Sequence, residues 1–241
     1  MAQLFAGTSG WAYPSWKPDF YPEKLAQKKF LGYYATKLNT VEVNFTFRQL
    51  VKETTIQNWL AESPAHFRFG VKAHQVITHI KRLKGTEDFL PRFLATIEPL
   101  ASAGKLGPVL FQLPPNLKAD AGLLKDFLAV LPRTVPAAFE FRHESWFTEG
   151  TWDLLRSASA ALCVAETETR TTPDVATGSF AYYRFRKPTY TGEERRAMVD
   201  RIGQHIADER NVFAYFKHEE TPQGALYAVE ILQEISGGEQ S

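Results

Sequence analysis

The chain has 241 residues, 44% of them hydrophobic and 13% aromatic, which supplies a large core and excludes a disordered or low-complexity protein. Its 28 Lys and Arg offset 27 Asp and Glu to a formal net charge of +1. A protein that grips a polyanion needs a long-range positive field, so no nucleic-acid partner is expected.

The first ten residues, MAQLFAGTSG, hold no basic segment followed by an apolar stretch, and no run of eighteen apolar residues occurs anywhere. A cytoplasmic protein with no membrane partner is the expectation. Along the chain, LFAGTS reads as a first strand, followed by a long connection from Ser9 to Ala26. TVEVNF and FRFGVKA give the second and third strands, and a second long connection runs from His74 to Asp88. The spacing of Phe89, Phe93, Ile97 and Leu100 predicts a helix before the fourth strand, PVLFQL. Leu124, Phe127, Leu128 and Leu131 predict another before the fifth, AAFEFR. The sixth strand, ALCVAE, carries the single cysteine, Cys163, which reads as a buried core thiol because no activating group stands beside it. From Thr167 to Ser179 the chain is polar, contains Pro173 and shows no apolar stripe, so a reduced or missing helix is expected there. FAYYRFR, a helix marked by Met198, Ile202 and Ile206, and NVFAYFK complete the series. Eight strand and helix alternations in one chain of this length predict an α/β fold, a single (β/α)₈ TIM barrel over residues 1–241, with 235–241 as a frayed tail.

Successive side chains of a strand point to opposite faces. Val41, Val43 and Phe45 form one face of the second strand against Glu42 and Asn44, and Phe139 and Phe141 oppose Glu140 and Arg142 in the fifth. The same alternation places Lys72, Gln112, Arg184 and Lys217 on the inward row of the third, fourth, seventh and eighth strands. Each inward row turns polar toward the C-terminal strand end, the face at which TIM barrels build their sites. A polar pocket of Glu42, Asn44, Lys72, Gln112, Glu140, Arg142, Arg184 and Lys217 follows; structural pairing of Glu140 with Arg142 and of Glu42 with Lys72 is the competing reading.

GTSGWAYPSW, TVEVNFTF, LGPVLFQLPP and FEFRHESW, in this order, resemble the YecE-like family, domain of unknown function 72. The resemblance implies a TIM barrel and a family without an established activity. Carried over motif by motif, it implies pocket positions at Gly7, Ser9, Trp11, Tyr13, Trp16, Glu42, Asn44, Lys72, Gln112, Pro114, Pro115, Glu140, Arg142, His143 and Trp146. Two stretches depart from the family pattern. RFRK places Arg186 and Lys187 where relatives commonly have His and Gly, and FKHE (Phe216 to Glu219) stands where they commonly have Phe-Asn-Asn-Asp.

Glycoside hydrolysis needs two facing carboxylates. The strand ends that supply them in the commonest barrel glycosidases here offer Gln112 and Arg184, so this chemistry is disfavoured. A Schiff-base lysine needs a lowered pKa, and Lys72 or Lys217 facing a carboxylate would be held protonated. Glu42, Glu140, His143 and Glu166 form a candidate metal set for an isomerase- or phosphodiesterase-like barrel, with nearby Lys72 and Arg142 opposing a divalent ion. Lys72, Arg142, Arg184 and Lys217 outnumber Glu42 and Glu140, which favours a small-molecule anionic ligand. The expected enzyme acts on a carbohydrate-like metabolite, with Glu42, Lys72, Glu140 and Arg142 as the catalytic set and Trp11, Tyr13, Asn44, Gln112, His143, Trp146, Arg184 and Lys217 binding substrate. No metal ligand is assigned and any cofactor is unknown. A non-catalytic ligand-binding module is the competing class, and nucleic-acid processing a third.

Overall fold

The computed structural model describes residues 1–217 and 221–238. Its strands are β1 (Leu4–Thr8), β2 (Thr40–Val43), β3 (Arg68–Lys72), β4 (Leu106–Gln112), β5 (Ala137–Glu140), β6 (Ala161–Glu166), β7 (Phe180–Phe185) and β8 (Asn211–Phe216). All pair in parallel, in the order β1-β8-β7-β6-β5-β4-β3-β2. The helices are α1 (Phe30–Tyr34), α2 (Glu53–Glu62), α3 (Phe89–Ser102), α4 (Ala121–Val130), α5 (Glu149–Ser157), α6 (Gly192–Ala207) and α7 (Gln223–Gly238). Alternation of strand with helix around one sheet is the single (β/α)₈ barrel that the chain's periodicity predicts.

No helix joins β6 to β7. In its place the polar segment 167–179 lies along the outside of the sheet and is tied down by side chains. Thr177 Oγ1 donates to the Ala160 carbonyl and accepts from the Leu162 amide, both at 2.8 Å, and Tyr183 donates to Asp174 at 2.8 Å. At the other end of the chain, α7 continues through Gly238, four residues into the stretch expected to fray from 235. Residues 239–241, like His218 and Glu219 of the FKHE departure, lie outside the described residues.

Two apolar layers hold the barrel. The outward row, including Val41, Phe69, Val71, Phe111 and Phe139, is buried against the helices. The inward row fills the lumen with Phe5, Leu110, Ala138, Cys163, Tyr182, Phe213 and Tyr215. Each large side chain taken from water contributes about 1.5–3 kcal/mol, so the lumen is a packed core and not a channel. Cys163 is fully buried within it, and burial pushes its thiol well above the ordinary range.

Among the described residues, no backbone ladder joins β1 to β2; side chains close that seam. The Asn39 amide accepts from Ala6 N at 2.9 Å and donates to the Leu4 carbonyl at 2.8 Å. The Tyr34 hydroxyl accepts from Thr8 N at 2.8 Å and donates to the Thr40 carbonyl at 2.9 Å. Buried peptide groups need partners, and these two side chains supply them. Gly7 permits the approach, since a Cβ there would sit 1.9 Å from the Thr40 carbonyl oxygen.

Candidate functional site

At the C-terminal end of the lumen the apolar layers give way to charge. Tyr182 and Tyr215 form the step between them, each sending its hydroxyl across the lumen to β2. Tyr215 meets Thr40 Oγ1 at 2.9 Å, and Tyr182 donates to Glu42 Oε2 at 2.7 Å. Gly70 makes room for this, because a Cβ there would lie 2.5 Å from the Tyr215 oxygen.

Above the tyrosines lies a buried ionic floor in which Arg184 spans two carboxylates. It donates from one guanidinium nitrogen to Glu140 Oε2 at 2.6 Å and from the other to Glu42 Oε1 at 2.8 Å. Arg186 adds a contact to Glu42 Oε1 at 3.2 Å, as does the Asn44 side-chain amide at the same distance. Gln112 Nε2 lies 2.9 Å from both oxygens of Glu140. Glu42, Glu140 and Arg184 are 0%, 4% and 5% exposed, so all three are sealed from bulk water. Burial works to raise both carboxyl groups. For Glu42 the neighbouring Arg184 and Arg186 charges outweigh it, and for Glu140 Arg184 and the Gln112 amide do, so both stay below the usual carboxylate range.

A half-buried rim of Asn44, Lys72, Gln112 and Arg142 surrounds this floor. Lys72 makes no ion pair among the described residues; its Nζ lies over the face of Phe47, 4.3 Å from the ring centroid. Burial and the Arg184 charge pull its amine down to about 8. Glu42 and Glu140 do work to hold Lys72 protonated, as the sequence leads one to expect, but burial and the Arg184 charge outweigh them. His79, from the turn at Val76–Ile80, packs edge-on against the same Phe47 ring at 4.9 Å. Burial, with the Lys72 and Arg142 charges, lowers its imidazole.

The competing pairs read from the sequence, Glu140 with Arg142 and Glu42 with Lys72, are not the ones formed. Arg142 makes no ion pair among the described residues, and its carbonyl accepts from the Arg170 guanidinium. Arg186, which shares the inward parity of Arg184 but was not counted in the expected pocket, belongs to the floor. Four cations, Lys72, Arg142, Arg184 and Arg186, thus stand around two carboxylates. Lys217 lines a different cavity, of about 340 Å³, with Lys187, Tyr190, Phe216 and Tyr227.

Two of the expected binding residues do local structural work. Trp146 is 1% exposed, stacks on Phe141 at 4.6 Å and donates its indole N–H to the Leu117 carbonyl at 2.8 Å. It offers no face to a ligand. His143 Nδ1 lies 2.9 Å from Ser145 Oγ and accepts from the Ser145 amide, capping the turn at Glu144–Trp146. Trp16 is likewise fully buried. Trp11 and Tyr13 do reach a surface: with Phe45, Trp59, Ser9 and Asn44 they line an aromatic groove of about 320 Å³. Asn44 connects this groove to the floor. Its Oδ1 and the Ser9 hydroxyl are buried without a hydrogen-bond partner.

The candidate metal ligands are not gathered. Glu166 points away from the lumen to Lys187 at 3.1 Å and Arg201 at 3.6 Å, and the Arg184 guanidinium occupies the space between Glu42 and Glu140. Among the described residues, no three His, Cys, Asp or Glu side chains converge on a metal-sized site.

The family described as protein of unknown function DUF72 matches residues 5–240. The chain belongs to the DUF72 family. Its curated relatives include the UPF0759 protein YunF of Bacillus subtilis, 29% identical over 151 residues, with 60% of this chain and 52% of that protein covered. The UPF0759 protein YecE of Escherichia coli K12 is 29% identical over 148 residues, covering 61% of this chain and 51% of that protein. The DUF72 chain thus spans about half the length of the curated relatives it matches. Among solved structures, a DUF72 family protein of Thermotoga maritima superposes with a TM-score of 0.84 at 25% identity, covering 97% of this chain and 99% of that one. Another from Enterococcus faecalis gives 0.76 at 15% identity, with 98% of each chain covered, and shares the fold. None of these names carries a reaction. No helix among the described residues is long and apolar enough to cross a membrane.

Proposed function

We propose that this DUF72 chain is an enzyme that acts on a small anionic, carbohydrate-like metabolite by general acid–base chemistry at the C-terminal face of the barrel. The observation that carries this is the rim: Lys72 and Arg142 stand over an ionic floor whose two arginines already offset its two carboxylates. The positive charge of the rim is therefore left for a ligand, and an arginine fork suits a carboxylate or phosphate.

Within this reading the roles differ from those expected of the sequence. Glu42 and Glu140 are held ionised and buried, so they position Arg184 and Arg186 and do not exchange protons near neutral pH. Lys72, at about 8, is the group matched to proton transfer. Trp11, Tyr13 and Phe45 offer ring faces to the apolar side of a sugar, and Ser9 Oγ and Asn44 Oδ1 offer unfilled partners to its hydroxyls.

The test is a panel of phosphorylated and carboxylated sugars followed by NMR for product, in parallel with thermal melting. Product formed by the wild type and lost in Lys72→Met supports the reading. Ligand stabilisation on the order of 3 kcal/mol at a hundredfold excess over Kd, with no product, would instead identify a non-catalytic binding module.

A further inference from the structure

We infer that Lys72 acts as a nucleophile that captures the carbonyl carbon of its substrate as an imine, which narrows the ligand class to aldehydes and ketones bearing an anionic group. The inference rests on the site proposed above and adds a covalent step to it.

Three observations converge. The first is that both carboxylates are already engaged by other donors. An ionised carboxylate has about four lone-pair sites. Glu42 receives Asn44, Tyr182, Arg184 and Arg186, and Glu140 receives Arg184 and both contacts of Gln112. Every oxygen of both carboxylates already has a donor, and Lys72 forms no ion pair with either among the described residues, as a lysine placed there for charge balance would.

The second is the setting of the amine. Lys72 ends β3 at the barrel mouth with its Nζ against the Phe47 ring, and it is half-buried, so it is desolvated and still faces the opening. Arg184 and Arg186 face it from β7 and its end, Glu42 and Glu140 from the ends of β2 and β5, and His79 from the β3 loop, itself under the charge of Arg142 from the β5 loop. With its amine at about 8, roughly a quarter of Lys72 is neutral at pH 7.5, against about one part in a thousand for a lysine at the ordinary 10.5. Desolvation and neighbouring cations are the two means by which lysine is made nucleophilic.

The third is the supply of charge and proton carriers around it. Arg142, half-buried on the rim and without an ion pair among the described residues, is available to hold an anionic substituent, and the His79 imidazole packs edge-on against the same Phe47 ring.

In the step itself, the neutral amine's lone pair forms the C–N bond as the carbonyl π pair moves to oxygen. Transfer of one nitrogen proton to that oxygen gives a carbinolamine. The C–O bond then breaks, and the oxygen leaves as water with the second nitrogen proton. Amine plus carbonyl gives imine plus water, and no oxidant or reductant enters. Protonated, the imine withdraws electrons from the neighbouring carbon, whose proton or carbon–carbon bond becomes the one that breaks.

The experiment is trapping of the wild-type protein with glyoxylate, the smallest anionic aldehyde, and cyanoborohydride across pH 6–10, with peptide mapping. The expected result is a carboxymethyl group on Lys72 that appears at least tenfold faster at pH 7.5 than on the exposed Lys52 and Lys125, with a half-titration near pH 8. Labelling of Lys72 no faster than of those two, or with a rate that still climbs at pH 10, would overturn the inference. The two proposals fail separately: turnover in the sugar panel that needs Lys72 but yields no borohydride-trapped substrate adduct sinks the imine and leaves acid–base chemistry standing.

Discussion

Replacing Arg184 by Met tests the ionic floor directly. It removes the cation shared by Glu42 and Glu140 while keeping an apolar stem of similar length. Glu42 retains Arg186, whereas Glu140 retains only Gln112. Glu140 would then be a buried, unpaired carboxylate, and its escape is to take up a proton in the folded state. For a group of ordinary value 4.5 that uptake costs about 1.36 × (7 − 4.5), or about 3.4 kcal/mol, at pH 7 and about 0.7 kcal/mol at pH 5. The figure at neutral pH falls in the range of about 3–5 kcal/mol for breaking a buried pair from one side. In the wild type the depressed carboxylates contribute stability that is present above pH 4.5 and lost only as pH falls through their lowered folded values. Its stability from this source is therefore flat between pH 7 and 5. In the variant the folded state binds one proton more than the unfolded state over that window, so its stability rises as pH falls. Urea unfolding followed by tryptophan fluorescence should show a deficit of about 3 kcal/mol at pH 7 that narrows by about 2.7 kcal/mol at pH 5. A variant as stable as the wild type at pH 7, or a deficit equal at both pH values, would refute the claim that Arg184 compensates a sealed carboxylate.

Lys72→Met should cost little stability at pH 7.5, because the amine has no ionic partner among the described residues to lose. Since the folded value of Lys72 is lowered to about 8, the unfolded state binds more protons between 8 and 10.5. Wild-type stability should therefore gain on this variant by about 1–3 kcal/mol over that window, measured by denaturant titration at pH 7.5 and 10; a constant difference would mean the amine is not desolvated. Asn39→Ala strips partners from the Leu4 carbonyl and the Ala6 amide and should cost about 2 kcal/mol, with faster hydrogen exchange at Ala6 as the local readout. Gly7→Ala drives a methyl group to 1.9 Å from the Thr40 oxygen and should cost about 3 kcal/mol of stability, read as a lowered melting temperature.

The barrel was readable because its determinants are local and repetitive. Eight apolar runs with period two, separated by stripes at helical spacing, leave few alternatives, and the polar stretch with Pro173 announced the absent helix. Parity also placed Glu42, Gln112, Glu140, Tyr182 and Arg184 on the lumen side. What parity does not carry is which residue meets which across the lumen, since that depends on strand stagger and on side-chain reach. Arg184 was legible as inward but not as the link between two carboxylates, and parity put Arg186 in the same inward row without showing that it reaches Glu42. The loops were harder still. His143 and Trp146 follow a strand end, where alternation stops, and nothing in ESW distinguishes a ligand wall from a cap packed on Phe141. Lys217 shows the same limit one residue past β8: the inward row continues on paper while the side chain lines a neighbouring cavity.

The side-chain seam bears on the aromatic groove. Trp11 and Tyr13 leave from β1, and Asn44 and Phe45 leave from β2, so the groove's two walls stand on opposite banks of a join that lacks a ladder among the described residues. Between laddered strands the spacing is pinned near 4.8 Å by the backbone itself. Here it is set by the reach of an asparagine and a tyrosine, which works as a hinge pin in place of a weld. The spacing of the groove's walls is thereby tied to two side chains, Tyr34 and Asn39, that line no part of it.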